Sequence, residues 1–501
     1  MRGFDNEKYI SLQSEHIRKR IEQFGGKLYL EFGGKLFDDF HASRVLPGFE
    51  PDSKMRMLQR LGADAEIVIA INANDIEKNK VRSDIGIAYV DDVVRLIGIF
   101  RERGFLVQNV VITRSGGQEG VDKFCQRLSQ LGIRTYFHYP IPGYPSDVSR
   151  IVSDEGFGKN DYIETTRPLV IVTAPGPGSG KMATCLSQLY HEHKRGVRAG
   201  YAKFETFPVW NLSLKHPVNI AYEAATVDLY DRNMIDPFHL EAYGETTVNY
   251  NRDIEIFPVL RAMLELIQGE SPYRSPTDMG VNMAGFCIVD DEEVCRAAKL
   301  EILRRYYQTA VAEKRQEGEM PLTARMELLM KQGGVDNSVC PAVDAALLKA
   351  EQTGKLAGAL TLPDGHTVTG KTTPLLGTSA ALLLNALKYL AGIDKETDII
   401  DADALTPICA LKTTYFGHRN PRLHADEVLI ALSMSSVKSP IAARAMEQLS
   451  RLRGTDAHFS AILSPVDEKI YKSLGIYVTC QPKFEVKNSA AAYATRDGRG
   501  C

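Results

Sequence analysis

Residues 169–190, LVIVTAPGPGSGKMATCLSQLY, hold the groups best suited to gripping a phosphate. An apolar run, 169–172, leads into a turn with glycines at 176, 178 and 180 and a lysine at 181. Backbone N–H groups at the start of a helix point at an anion, and the helix dipole adds to the pull. Gly176, Gly178 and Gly180 take backbone angles that other residues resist and let a ligand come close. Ser179 is grouped with them as a ligand contact, and Lys181 is placed to reach an outer phosphate. The phosphate-loop pattern G-x-x-x-x-G-K-[ST] fails at two positions. Pro175 stands where the first glycine belongs, and Met182 replaces the hydroxyl residue that holds Mg²⁺. Thr184 is two residues on, about 200° around a helix, and is a poor substitute. The stretch therefore predicts a phosphate cradle whose metal ligands come from elsewhere. The alternative is a glycine turn that only packs a helix onto a sheet.

Two further segments offer catalytic and metal-binding groups. In 33–44, GGKLFDDFHASR, an aspartate can hold Mg²⁺ or take a proton, a histidine can shuttle one, and an arginine can grip a phosphate. Asp38 and Asp39 are the candidate Mg²⁺ ligands, Asp39 and His41 candidate catalytic groups, and Arg44 a candidate ligand contact. A solvated loop with an aspartate helix cap is the alternative. In 201–212, YAKFETFPVWNL, Lys203 and Glu205 fall at the end of a predicted strand beside the glycine turn. Glu205 is a candidate catalytic residue and Lys203 a candidate ligand contact; the alternative is a surface ion pair. The loop 275–285 adds Asp278 and Asn282, either a substrate loop or a plain connection.

The string 365–372, GHTVTGKT, satisfies the phosphate-loop pattern in full, but its surroundings read as a hairpin about a Pro-Asp-Gly turn. What survives there is a secondary anion site at Thr372 and Thr373, ahead of a helix over 379–390. In 419–427 the H-x-x-E of His424 and Glu427 is one residue off the zinc-deaminase spacing, and no P-C-x-x-C follows. The eight cysteines are scattered. No zinc and no disulfide framework are expected.

The elements that must position these groups are legible as patterns. Strands are predicted at 27–32, 66–72, 107–113, 133–139, 169–172 and about 198–204, with helices at 90–103 and 120–131 between them. This alternation predicts an α/β fold: an N-terminal parallel sheet with helices on both faces and a phosphate-loop-like turn. Ligands in such sheets sit at the carboxyl ends of the strands. The predicted organisation is a Rossmann-like, phosphate-loop-like α/β domain over 1–215, a mainly helical region over 216–337, a smaller α/β subdomain over 338–486, and a tail over 487–501. The last subdomain includes strands at 459–464 and 476–480. With 60 basic and 63 acidic residues, the chain has no character of a nucleic-acid partner. No apolar run is long enough for a membrane and no signal-peptide core is present, so a cytoplasmic protein is expected. Self-association into a homo-oligomer is expected on general grounds.

The strings EFGGKLFDDFHASRVLPGF, IVSDEGFG, VTAPGPGSGKMATCLSQLYHEHKRG, YAKFETFPVWNL, SPTDMGVNMAG, NPRLHADEVLIAL and GIYVTCQPKFE resemble the bacterial family carrying the domain of unknown function 1846. The resemblance covers nearly the whole chain. It implies a soluble bacterial protein with an α/β N-terminal part, a helical middle and a separate C-terminal subdomain of deaminase-like topology without zinc chemistry. It carries no activity or catalytic role over to this chain. A looser architectural resemblance is to nucleotide-dependent amidoligases such as CTP synthase and dethiobiotin synthetase, aligning Gly180, Lys181 and Lys203. The expected function is binding of a nucleotide or phosphorylated metabolite, with Mg²⁺, by a phosphotransferase or ATP-dependent ligase. The alternative is a non-catalytic phosphometabolite sensor or scaffold.

Overall fold

A computed structural model describes residues 2–34, 36–37, 39–82, 86–316, 321–418 and 420–485. Asp38 and the tail 487–501 lie outside the described residues. The chain divides into two compact units, Met1–Ala298 and Lys299–Cys501.

All six strands read from the first 210 residues form in the first unit. They are β1 (Leu28–Phe32), β2 (Ala65–Asn72), β3 (Leu106–Thr113), β4 (Arg134–Phe137), β5 (Leu169–Thr173) and β6 (Gly200–Phe204). A short antiparallel pair, β7 (Asn233–Ile235) and β8 (Val248–Tyr250), and a two-residue strand, β9 (Gly280–Val281), follow. The main sheet has seven strands in the order β4-β3-β2-β5-β1-β6-β9, each pair parallel. The central strands β2 and β5 are buried at every residue. That explains their unbroken apolar runs, because elements cover both faces. Tyr29, Tyr201 and Lys203 point to one face, where the helix Lys181–Lys194 lies and Gln188 donates to the Tyr29 hydroxyl (3.2 Å). Phe32 and Phe204 stack on the other face (4.1 Å), with Lys54 5.8 Å from the Phe204 ring.

The loop 275–285 is more ordered than its sequence suggests. Pro276–Met279 makes one helical turn and β9 adds to the sheet through two register pairs, Lys203↔Gly280 and Phe204↔Val281. Two residues are too few to show a strand period. Gln13 secures this edge: its amide donates to the Val281 carbonyl (2.6 Å) and accepts from the Met283 N–H (2.8 Å). Gln13 lies in the helix Asn6–Gln23, capped by Asp5.

The second unit has a four-stranded sheet in the order β11-β10-β12-β13. The hairpin is present as β10 (Ala357–Thr361) and β11 (Thr367–Lys371), paired antiparallel. β12 (Asp456–Phe459) and β13 (Tyr477–Cys480) pair parallel. The strand expected over 459–464 is therefore displaced. Pairing ends at Phe459, and the apolar run continues only into the loop that Ser464 closes as the cap of the helix Pro465–Ser473. Among the described residues, no helix is long and apolar enough to cross a membrane.

Candidate functional site

From β2 the chain goes on to β3 on one side of the sheet, and from β5 to β6 on the other. The carboxyl ends of the adjacent strands β2 and β5 thus flank a topological switch point, where open α/β sheets place ligands. The glycine turn 174–180 leaves β5 at this point. Its neighbours shape it. Asn72 at the end of β2 donates to the Gly178 carbonyl (3.3 Å), and Thr113 at the end of β3 donates to the Ser179 carbonyl (2.8 Å). Ser179 turns inward and donates to the Gly176 carbonyl (2.8 Å). Glycine is required twice for steric reasons. A Cβ at Gly176 would lie 2.1 Å from the Tyr89 hydroxyl oxygen, and one at Gly180, where φ is +85°, would lie 3.0 Å from Thr113.

The helix Lys181–Lys194 begins directly after the turn, and no side chain caps it. The N–H groups of Gly178, Gly180, Lys181, Met182 and Ala183 find no acceptor among the described residues. Uncapped first-turn amides are the anion-attracting end of a helix. Lys181 is half-buried and makes no ion pair with the described residues. One turn further in, the Cys185 thiol is pushed well above its ordinary pKa by burial and by Glu31, while Lys181 pulls it down. Glu31 of β1 and Lys181 therefore work on the same group, at the same end of the sheet.

Lys203 and Glu205 come together at the carboxyl end of β6. The Lys203 ammonium donates to Asp253 and to the Tyr250 hydroxyl, and Glu205 Oε1 lies 3.1 Å away. Tyr250 ends β8, and Asp253 lies in the first turn of the helix Asn251–Gln268. Burial works against the Lys203 charge, but Asp253, Tyr250 and Glu205 outweigh it and hold the ammonium well above the usual lysine range. Burial and then Asp253, acting against Lys203, push the Glu205 carboxyl up to about 8. Lys203 thus faces two carboxyl groups, and Glu205 is the one that burial holds towards its protonated form. Only β1 separates β5 from β6, so the cluster is about 10 Å from the glycine turn at ordinary strand spacing.

Asp39, His41 and Arg44 follow β1 on or beside one short helix. Asp39 caps the helix Phe40–Val45 through the Ala42 N–H (3.2 Å) and pairs with buried Lys54 (2.7 Å). Burial raises its carboxyl, and Lys54 more than offsets this, leaving it below the usual range. His41 lies edge-on to Phe207 (5.3 Å), which stacks on Tyr222 (5.9 Å) beside the Glu205 cluster. Arg44 sits half-buried on the same short helix. Asn282 is structural: it donates to the Pro208 carbonyl (3.0 Å) and accepts from the Ala284 N–H (3.1 Å). Asp278 receives the Tyr243 hydroxyl (2.8 Å).

In the second unit, Thr372 shares a hydrogen bond with Thr378 (2.6 Å), and Thr373 accepts from the Leu376 N–H (2.9 Å). Thr372 lines a cavity of about 180 Å³ with Lys412, His424 and Asp467. Each cation here has a carboxylate beside it: Lys412–Glu427 at 2.7 Å and His424–Asp467 at 2.8 Å. The His424 contact and backbone hydrogen bonds overcome burial and lower Asp467 to about 2, while Asp467 raises His424. Asp467 thus contributes stability that is present above 3.8 and lost as pH falls towards 2. His424 contributes stability that is present below 6.5 and lost as pH rises through its raised value. In Asp467→Asn, the melting-temperature deficit against wild type is expected to be largest between these limits and to narrow on both sides. A pH series of thermal melts checks it.

The N-terminal domain of unknown function DUF1846 matches residues 2–334, and its C-terminal counterpart matches 338–489. The chain belongs to the DUF1846 family. It is 58% identical over 489 residues to a UPF0371 protein of Corynebacterium aurimucosum, covering 97% of this chain and 98% of that one. It is 57% identical over 484 residues to a UPF0371 protein of Corynebacterium diphtheriae (96% and 97% covered). It is 56% identical over 483 residues to one from Streptococcus thermophilus (96% and 98% covered). Sequence patterns in this DUF1846 protein point to Lys181, Lys203 and Glu205 but not to Asn72, Thr113, Tyr250 or Asp253. Asn72 and Thr113 are strand-terminal residues of ordinary type, visible only once strand order is known. Tyr250 and Asp253 stand 47 and 50 residues from Lys203, with no spacing rule to join them.

Proposed function

We propose that this DUF1846 protein binds the phosphate of a nucleotide or phosphorylated metabolite at the turn 174–180 and acts on it as a phosphotransferase or ATP-dependent ligase. One observation carries this: a turn at the β2/β5 switch point opens onto an uncapped helix whose first amides and Lys181 lack partners among the described residues. Those amides and Lys181 hold the outer phosphate and stabilise charge that builds on it in transfer. The second substrate lies across β1, against Lys203 and Glu205. Glu205 holds a proton at neutral pH and is the group to exchange one with it, within the tuned range that acid–base catalysis requires. Mg²⁺ enters with the nucleotide; Asp39 is engaged by Lys54, and Met182 offers no hydroxyl to the ion.

Met182 also favours a second reading, a phosphometabolite sensor without turnover. A thermal-shift screen with ATP, GTP, sugar phosphates and polyphosphate, each with and without Mg²⁺, separates the two. A Mg²⁺-dependent shift together with phosphate release is the result expected for the enzyme. A Mg²⁺-independent shift without release identifies the sensor, and no shift with any of them removes both.

A further inference from the structure

A second cluster of chemically capable side chains lies in the first unit, apart from the glycine turn. His216 Nε2 is 3.0 Å from Asp291 Oδ1 and 3.5 Å from Cys295 Sγ, and that sulfur is 3.8 Å from Asp291 Oδ2. His216 precedes the helix Pro217–Ala225. Asp291 and Cys295 are four residues apart in the first turns of the helix Asp291–Arg315, so they share one face. We propose that His216, Asp291 and Cys295 bind a divalent ion of the zinc class.

The donor set and its dimensions support this. Imidazole nitrogen, carboxylate oxygen and thiolate sulfur are the three donor types zinc takes, at about 2.0–2.3 Å. Ligands at those distances around a tetrahedral ion stand roughly 3.3–3.6 Å from one another; His216 Nε2 and Cys295 Sγ, 3.5 Å apart, fall in that range, and one donor atom from each of the three residues lies within 4.8 Å of the others. The trio does not suit nucleophilic catalysis. A Cys-His-Asp relay needs the carboxylate on one ring nitrogen and the sulfur on the other, whereas here both meet Nε2. The Asp291 side chain is 64% exposed, so the cluster opens to solvent, which suits an exchangeable rather than a closed structural site.

Binding has a proton balance. The Cys295 thiol releases its proton to solvent when the S–metal bond forms. The His216 Nδ1 accepts from the Val218 N–H (3.2 Å), which places the neutral ring's proton on Nε2. On metal binding that proton passes through solvent to Nδ1, Nε2 ligates the ion, and the Val218 contact is given up.

The test is CoCl₂ titration of the reduced, metal-free full chain. One equivalent is expected to bring up a near-ultraviolet thiolate-to-cobalt band and visible bands of tetrahedral intensity, which ZnCl₂ then removes. Cys295→Ser is expected to lose the thiolate band while melting like the wild type without metal. His216→Ala is expected to bind Zn²⁺ about tenfold more weakly or worse, as loss of a ligand demands. Absence of the thiolate band in the wild type overturns the proposal. So does its persistence in Cys295→Ser, or unchanged Zn²⁺ affinity in His216→Ala.

Discussion

Lys181→Ala is expected to melt like the wild type in the absence of ligand and to lose about half or more of the melting shift that a phosphorylated ligand produces. Lys181 is half-buried at a helix start and makes no ion pair with the described residues, so its removal breaks no structural contact there. A ligand at one hundred times its Kd stabilises the folded protein by about 2.7 kcal/mol. Loss of one charge-assisted contact of about 1.5–3 kcal/mol weakens binding some tenfold to hundredfold and removes about half to nine-tenths of that stabilisation. Gly178, at the exposed rim of the same turn, provides the control. Its φ of +75° disfavours any side chain, so Gly178→Ala is expected to weaken binding by deforming the amide array. Melting with and without the ligand identified in the screen measures both.

Lys203→Met is expected to have the largest effect on stability, about 3–5 kcal/mol, because it strands the Asp253 carboxylate next to Glu205 without its counter-charge. Chemical denaturation at pH 7 measures it. Buried ion pairs of this kind seldom serve stability, and a perturbed cluster at the carboxyl end of a sheet strand is a functional marker. Glu205→Gln is expected to behave quite differently. The Glu205 carboxyl is raised to about 8 in the folded protein against an ordinary 4.5, so its contribution is full below 4.5 and lost as pH rises through 8. An amide does not titrate. Glu205→Gln should therefore gain on the wild type steadily between pH 5 and 8, read as a converging or crossing pair of melting curves. Parallel curves across that range would show that Glu205 is ionised in the folded state, and the proton-holding role would be lost.

The parallel sheet was legible because its strands carry unmistakable physical signals. AEIVIAIN and LVIVT carry the unbroken apolar stretches Ile67–Ile71 and Leu169–Val172, and helical patterns separate the strands. The glycine turn was legible as a strand-to-helix junction, because glycine supplies the positive φ that Gly178 and Gly180 adopt there. Strand order was not legible, and with it went the switch point and the part that Asn72 and Thr113 play in shaping the turn. Asp39 was left open between two readings for a local reason: helix capping and metal binding ask for the same side chain, and the structure shows the cap and the Lys54 pair. Lys203 and Glu205 could be placed at a strand end, but a surface ion pair and a buried proton-sharing cluster look alike until Tyr250 and Asp253 close over them. The His216 trio escaped notice because pattern rules for zinc look for paired cysteines, and its ligands are 75 and 79 residues apart with a single cysteine among them.

The central claim is that an anion sits in the turn ahead of Lys181, held by main-chain amides. A crystal soaked with the ligand that gives the largest thermal shift tests it most directly. The account predicts phosphate density within hydrogen-bond distance of the N–H groups of Gly178 to Met182 and of the Lys181 ammonium. Ligand density anywhere else, with this turn filled by side chains or water alone, would contradict it.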